Sequence, residues 1–490
     1  MTKFSAWKMA GAIFVLSAAT AIAAPAQIFN TLVSFNKTDG ADPLGSFVQG
    51  VDGNYYSTAA QGGLSSACSQ NGGCGTVFKI TAQGTLTTLY NFGANGFPGA
   101  GLTLANNGKF YGTTAFNGGT VFDVTPTGEV TTLYTLCTPP TCPEGVTPVA
   151  SLIQATNGNF FGTTMWGGAQ DRGEVFEITP NGKLTTIHSF CGQRNCTDGR
   201  FPIAALIEAS NGNLYGTTSG GGSQCNGIGG CGTIFEISPR GFTTIYVFEG
   251  LNDGDPEGAL VQASDGNFYG TTYSGGANNC VVGGCGTVFK MTPEGALTTL
   301  YSFCSQSRCV DGARPIAGLV QGTDGNFYGT TTVGGTGGCP GGNTPGCGTV
   351  FRITPQGELT TVHSFEGTDG TAPVGGLMQA TSGLFYGTAS MGGLNDCAFG
   401  CGTLFSLDMG LGPFVTFVQA AGKVGQTGGI LGQGFTGATS VSFNGLPASF
   451  KVISDTFIEA TVPAGATTGY VTVTTPGGTL TSNVPFHVIP

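Results

Sequence analysis

The sixteen cysteines of this chain carry its most visible chemistry. They fall into eight near neighbours: Cys68 with Cys74, Cys137 with Cys142, Cys191 with Cys196, Cys225 with Cys231, Cys280 with Cys285, Cys304 with Cys309, Cys339 with Cys347 and Cys397 with Cys401. Each pair sits inside one loop and no cysteine is left over, which predicts local disulfides in an exported protein. The competing chemistry is metal binding. Zinc wants four converging ligands at CxxC-like spacing. No gap here is two residues and the chain has only three histidines, so no metal is expected.

Acid–base chemistry is harder to assemble. Asp171, Asp253, Asp255 and Asp396 fall in long loops, and a converging pair of carboxylates would suit a glycosidase or lyase. Nothing in the sequence brings two of them together. His188 and His363 occupy the slot that Tyr90, Tyr134, Tyr246 and Tyr301 fill elsewhere, and that interchange points to an outward or rim position, not a catalytic base. His487 lies near the end of the chain. No Ser or Cys nucleophile motif accompanies these histidines, so no catalytic residue is assigned and no cofactor is expected. An Asp-Gly-x-x-Pro pattern recurs at Asp39, Asp198, Asp311 and Asp369, with looser versions at Asn95, Glu144 and Asp253. Calcium would need six or more oxygens; the simpler reading is a turn in which Asp bonds its own backbone. Three aromatics at matching loop positions, Phe116, Trp166 and Tyr273, could stack on sugar rings or pack against neighbouring loops.

The elements that position these residues are repeats. Seven copies of one motif run GNYYSTA at Gly53, GKFYGTT at Gly108, GNFFGTT at Gly158, GNLYGTT at Gly212, GNFYGTT at Gly266 and Gly325, and GLFYGTA at Gly383, spaced by 50 to 59 residues. A period near fifty with several short strands per unit suggests a propeller or a repeat array. In one unit, Ala259–Ala263 reads as a first strand, Phe268–Thr272 as a second, Gly286–Met291 as a third and Leu297–Phe303 as a fourth. Asp265-Gly266 and Pro293-Glu294-Gly295 supply the turns. The third strand recurs seven times, as GTVF and its variants, but the fourth recurs six times, as TTLYSF and its variants. Thr31–Phe35 and the residues after it match Ser364–Gly375. The strand that follows the leader is therefore expected to complete the last unit and close a ring. The expectation is an all-β seven-bladed propeller of four-stranded blades over residues 27–409. The long second-to-third and fourth-to-first loops hold every cysteine pair and share one face, the expected working surface.

After Asp408 the repeat stops, and Gly410–Pro413 reads as a linker. Residues 410–490 show short alternating strands, including Val441–Gly445, Ile458–Pro463 and Gly469–Gly478, that suggest a small Ig-like β-sandwich. At the other end, Lys3 and Lys8, an apolar stretch from Met9 to Ile22 and small residues at Ala21–Ala26 read as a signal peptide over residues 1–26. With that leader removed, no membrane span is expected. Net charge is −11 and no basic stripe exists, which argues against nucleic acid and anionic membrane surfaces.

The runs GNFYGTT, GTVFKMTPEG and LTTLYSF resemble the GloVer (choice-of-anchor) tandem-repeat family of bacterial exported proteins, over residues 28–408. The family carries no established activity and often continues into a sorting anchor. This chain instead continues into a segment that resembles IPT/TIG immunoglobulin-like domains, which usually serve as spacers or adhesion modules. The reading is a secreted or cell-surface, non-enzymatic protein located outside the cytoplasm, in the extracellular space, at the cell surface or in the periplasm. Its partner would be a polysaccharide or an extracellular protein. The alternatives are a carbohydrate-active enzyme on the same scaffold and a purely structural surface protein.

Overall fold

The computed structural model describes residues 27–65, 73–94, 96–116, 118–137, 145–222, 231–249, 254–278, 280, 284–339, 346–394, 397 and 400–489. The expected leader, Cys68, Cys142, Cys225, Asn95, Glu144, Asp253 and Asp396 lie outside them. Among the described residues the architecture is all-β, with nine four-stranded sheets, one two-stranded pair and two short 3-10 turns. No helix there is long and apolar enough to cross a membrane.

Seven of the sheets repeat one antiparallel meander. In the unit read above, Val261–Gln262, Phe268–Thr272, Thr287–Met291 and Leu297–Ser302 pair in that order. The first strand is shorter than the sequence suggests, two residues instead of five. The cause is crowding. A Cβ on Gly318 would lie 2.7 Å from the Ala259 carbonyl oxygen, and one on Gly45 2.9 Å from the Gly101 backbone. The inner segments of adjacent units thus approach backbone to backbone. Only the residues beyond this contact are free to form a ladder. In the seventh sheet the outer strand is Ile28–Ser34, paired antiparallel with Thr403–Asp408, followed inward by Phe385–Ala389 and Met378–Gln379.

The second strands are buried throughout because each faces a neighbouring sheet on both sides. Side chains alternate across a strand, so the motif's two adjacent aromatics point opposite ways. Tyr215 therefore meets Phe268 at 4.5 Å between ring centroids, and Tyr269 meets Phe327 at 4.0 Å. The chain of ring contacts continues through the tilted pairs Tyr328–Phe385 and Tyr386–Tyr55 to the stacked pairs Tyr56–Phe110 and Tyr111–Phe160. Each such pair is worth about 1 kcal/mol beyond its burial. A second seam repeats beside it. The side-chain oxygen at the end of an inner strand accepts a backbone N–H from the turn of a neighbour: Gln154 from Asn106, Glu208 from Thr156, Gln262 from Ser210, Gln321 from Ser264, Gln379 from Thr323 and Gln49 from Thr381.

Residues beyond Leu411 form two further sheets, Thr416–Phe417 with Thr427–Leu431, Phe457–Thr461 and Phe450–Ser454, and Leu446–Pro447 with Ser440–Phe443, Val471–Thr475 and Gly478–Thr481. They share a core of Ile430, Phe435, Val441, Phe443, Ile458, Val471 and Val473. This unit rests on the tight hairpin turns of the repeats. Thr456 Oγ1 donates to the Val51 carbonyl at 2.8 Å, Gln433 Nε2 to Thr381 Oγ1 at 2.9 Å and Gln419 Nε2 to the Ala155 carbonyl at 2.9 Å. The described cysteines lie toward the other ends of the same strands.

Candidate functional site

The site is built where each fourth strand returns toward the axis. There a buried proline, at Pro43, Pro98, Pro148, Pro202, Pro256, Pro315 and Pro373, starts every inner segment. The residue before each proline has a positive φ: Asp42, Phe97, Thr147, Phe201, Asp255, Arg314 and Ala372, between 49° and 71°. None is glycine. Such a conformation costs an ordinary residue about 1–3 kcal/mol, and a following proline narrows the backbone further. The positions persist because the backbone is pinned on both sides. The carbonyls of all seven accept an N–H from the end of a second strand, as Asp255 does from Tyr273 and Arg314 from Thr332. Six of the amides donate across to the preceding unit in the ring, as Asp255 does to Cys231 and Asp42 to Cys401.

This ring holds different side chains at equivalent places, and it collects the aromatics singled out in the sequence. Phe116, 49% exposed, stacks on Phe97 at 4.2 Å. Trp166 meets Phe201 at 4.5 Å. The Arg314 guanidinium lies 5.4 Å from the Tyr273 ring centroid. Phe116, Trp166 and Tyr273 therefore belong to three separate clusters around one rim and do not form one platform. Two acidic members carry hydrogen-bond partners of their own: Ser274 Oγ donates to Asp255 at 2.7 Å and Gln61 Nε2 to Asp42 at 3.3 Å.

Inside the ring the inner segments enclose a cavity of about 480 Å³. The residue after each proline lines it or lies at its mouth: Leu44, Gly99, Val149, Ile203, Ile316 and Val374 are apolar or glycine, and Glu257 alone is charged among the described lining residues. Burial, and then the negative charge of Asp255, pushes the Glu257 carboxyl up to about 7. Burial pushes Asp42 up to about 6 and raises Asp255. Residue type and motif alone do not single out Glu257. The signal that finds it is positional: one acid in a column of aliphatic residues and glycine.

The Asp-Gly turns also do more than the sequence alone suggests. Asp198 accepts N–H groups from Gly192 and Gln193 and lies 3.2 Å from His188 Nε2. Asp311 accepts from Ser305, Gln306 and the Tyr301 hydroxyl at 2.8 Å. Asp369 accepts from Glu366 and lies 2.7 Å from His363 Nε2. The outer-strand Tyr/His slot and the turn Asp are thus one recurring pair. Each histidine is also stacked face to face, His188 on Phe242 at 3.7 Å and His363 on Phe29 at 3.6 Å. Burial lowers the His188 pKa despite Asp198.

Disulfides join Cys191 to Cys196, Cys280 to Cys285, Cys304 to Cys309, Cys339 to Cys347 and Cys397 to Cys401. Cys74, Cys137 and Cys231 are disulfide-bonded as well, and their expected partners lie outside the described residues. The sulfurs of Cys280, Cys304 and Cys309 converge within 4.8 Å, but all three are already in disulfides, so they offer no thiolate to a metal. Asp171 sits in an exposed loop where its Oδ1 accepts the Gly167 N–H at 3.0 Å, away from the Asp255 and Glu257 segment.

No curated protein matches this chain. Among solved structures, a luciferin-regenerating enzyme is similar at 13% identity and TM-score 0.40, covering 64% of this chain and 92% of that one. A candidate 6-phosphogluconolactonase from Bacteroides uniformis is similar at 13% identity and TM-score 0.44, covering 68% and 88%. A candidate gluconolactonase is similar at 12% identity and TM-score 0.38, covering 79% and 94%. Likeness at this level carries no argument about activity. The family match is of a different order: the model of one repeat family covers residues 1–145, 116–340 and 282–438. The chain belongs to the Gloeobacter/Verrucomicrobia repeat family.

Proposed function

We propose that this is an exported, non-enzymatic binding protein. Residues 1–26 are its signal peptide. Residues 27–409 are a seven-bladed propeller closed by the strand Ile28–Ser34, and residues 410–490 are an IPT/TIG-like immunoglobulin-fold module that braces the tight-turn face. The disulfide-clipped loop face binds its partner, a polysaccharide in the reading we favour over a protein.

One observation carries this reading. Seven positions of like, positive φ ring the mouth of a mostly apolar cavity, and they hold Asp, Phe, Thr, Phe, Asp, Arg and Ala. Strained non-glycine residues cluster where the surroundings over-determine them and function uses them, and variable side chains on a rigid frame suit recognition. Partly exposed aromatics beside this ring supply flat apolar faces of the kind a pyranose can cover.

The test is retention of the purified full chain on a panel of insoluble polysaccharides, with released sugar assayed in the same tubes. Retention without sugar release, weakened by Trp166→Ala or Tyr273→Ala, is the expected result. Sugar release that disappears in Glu257→Gln would replace the reading with a hydrolytic one. No retention on any polysaccharide would remove the carbohydrate reading.

A further inference from the structure

The loop face holds one cluster whose charge the fold itself does not use. Arg172 and Arg200 both lie against the ring of Phe201, their guanidinium carbons 5.8 and 5.0 Å from its centroid. Trp166 packs on the same ring at 4.5 Å. Two permanent positive charges therefore lie against one aromatic ring, in a chain whose acids outnumber its bases by eleven. Among the described residues neither guanidinium is in an ion pair with a carboxylate, whereas Lys109 pairs with Asp123 and Lys290 with Asp265. Arg172 Nη1 donates to the Asp171 carbonyl at 2.7 Å. Arg200 Nε is buried and has no hydrogen-bond partner among the described residues. Burial, and then the charge of Arg172, disfavours the cationic form of Arg200. Such a pair is destabilising as it stands, and an anion between the two forks would relieve both the repulsion and the unmet N–H. Met165, next to Trp166, lines the central cavity, so the cluster lies at the cavity's edge.

We propose that Arg172, Arg200, Phe201 and Trp166 form a subsite for an anionic sugar residue of an acidic polysaccharide. The guanidiniums take its carboxylate or sulfate and the exposed part of Trp166 takes its apolar face. This rests on the polysaccharide reading above and narrows it from any saccharide to a charged one. A bare anion would not use Trp166. A nucleic acid would meet a net negative protein with no basic stripe.

The experiment measures binding of the full chain to soluble polygalacturonate, dextran sulfate, uncharged dextran and polyglutamate, at low and at moderate salt. Polygalacturonate or dextran sulfate should bind, at least about 10-fold more tightly than dextran, and more weakly as salt rises. Preference between the two separates carboxylate from sulfate as the recognised group. The double variant Arg172→Gln/Arg200→Gln should lose about 10- to 100-fold in affinity. Trp166→Ala should lose about 10-fold with the salt response retained, and a cooperative melt, no lower than the wild type for the double arginine variant, shows that the variants fold. Dextran binding as well as the charged chains would overturn the anionic subsite while leaving the polysaccharide reading in place. Polyglutamate binding as well as polygalacturonate would overturn the sugar and leave only countercharge. Failure of every polysaccharide would sink both readings together.

Discussion

Gly402, in the last repeat, abuts Pro43, in the first: a Cβ on Gly402 would lie 2.5 Å from Pro43 Cδ. The same glycine-on-proline contact joins consecutive repeats, as Gly75 to Pro98, Gly173 to Pro202 and Gly286 to Pro315. Residues more than 350 positions apart thus make the contact that neighbouring repeats make, beside the Tyr55–Tyr386 and Gln49–Thr381 contacts.

That contact sets the first prediction. Gly402 has φ +92° and no room for a methyl group. Gly402→Ala should cost about 2–4 kcal/mol, combining an unfavourable φ with displacement of the Pro43 ring. Gly108 has φ +76° but nothing within 4 Å of its notional Cβ, so Gly108→Ala should cost only about 1 kcal/mol. Denaturant melts of the two variants measure the difference; equal losses would mean that the Gly–Pro seam carries no load.

The outer strand Ile28–Ser34 gives the second. It covers the edge of Thr403–Asp408 and stacks Phe29 on His363. A form of the chain lacking residues 27–35 should expose that strand edge and associate. Size-exclusion chromatography should show oligomers where the intact chain runs as a single species. A monomeric, equally stable truncated form would contradict the closed arrangement.

The third concerns pH. Glu257 has a folded pKa of about 7 against an ordinary value of 4.5. Between these values the folded chain keeps a proton that the unfolded chain has released, so stability falls as pH rises through the window. Asp42 acts in the same direction between 3.8 and about 6. His188 opposes them: its lowered pKa means that stability falls as pH drops below its ordinary 6.5. Comparison with Glu257→Gln isolates the first effect. The variant should gain on the wild type by up to about 3 kcal/mol between pH 5 and 7.5, read from melting temperatures across that range. Parallel pH curves would show that Glu257 ionises freely.

The fourth tests the outer-strand pair. Tyr301 does for Asp311 what His188 does for Asp198, so His188→Tyr should change stability by no more than about 1 kcal/mol. Asp198 is fully buried and holds two backbone amides as well as the imidazole. Asp198→Ala should therefore cost about 3 kcal/mol. In NMR titration the His188 ring should protonate below the usual histidine range.

Much of this was legible in the sequence because it is periodic. The second strand at Phe268–Thr272 and its turn at Asp265-Gly266 read directly from residue type. The unpaired third strand near the end, Thr403–Asp408, pointed to Thr31–Phe35 as its missing neighbour, and the two pair. Proximity across units was not legible. In the sequence Asp198 and His188 are separate features, because a turn residue and a strand residue ten positions apart announce no contact. The positive φ before each proline was hidden because Asp, Phe, Thr, Arg and Ala give no such signal. The inner strand was read too long because Ala259 looks like any strand residue until a neighbouring backbone is laid against it.

The pinned residues before the prolines have one last consequence. Their geometry is enforced by main-chain amides and carbonyls, which every amino acid but proline supplies in full. The main chain therefore fixes the position, while the side chains and their contacts differ from unit to unit. A lineage could therefore rewrite these seven letters one at a time, changing what the face meets while the frame beneath stays the same, much as variable loops diversify on a constant scaffold.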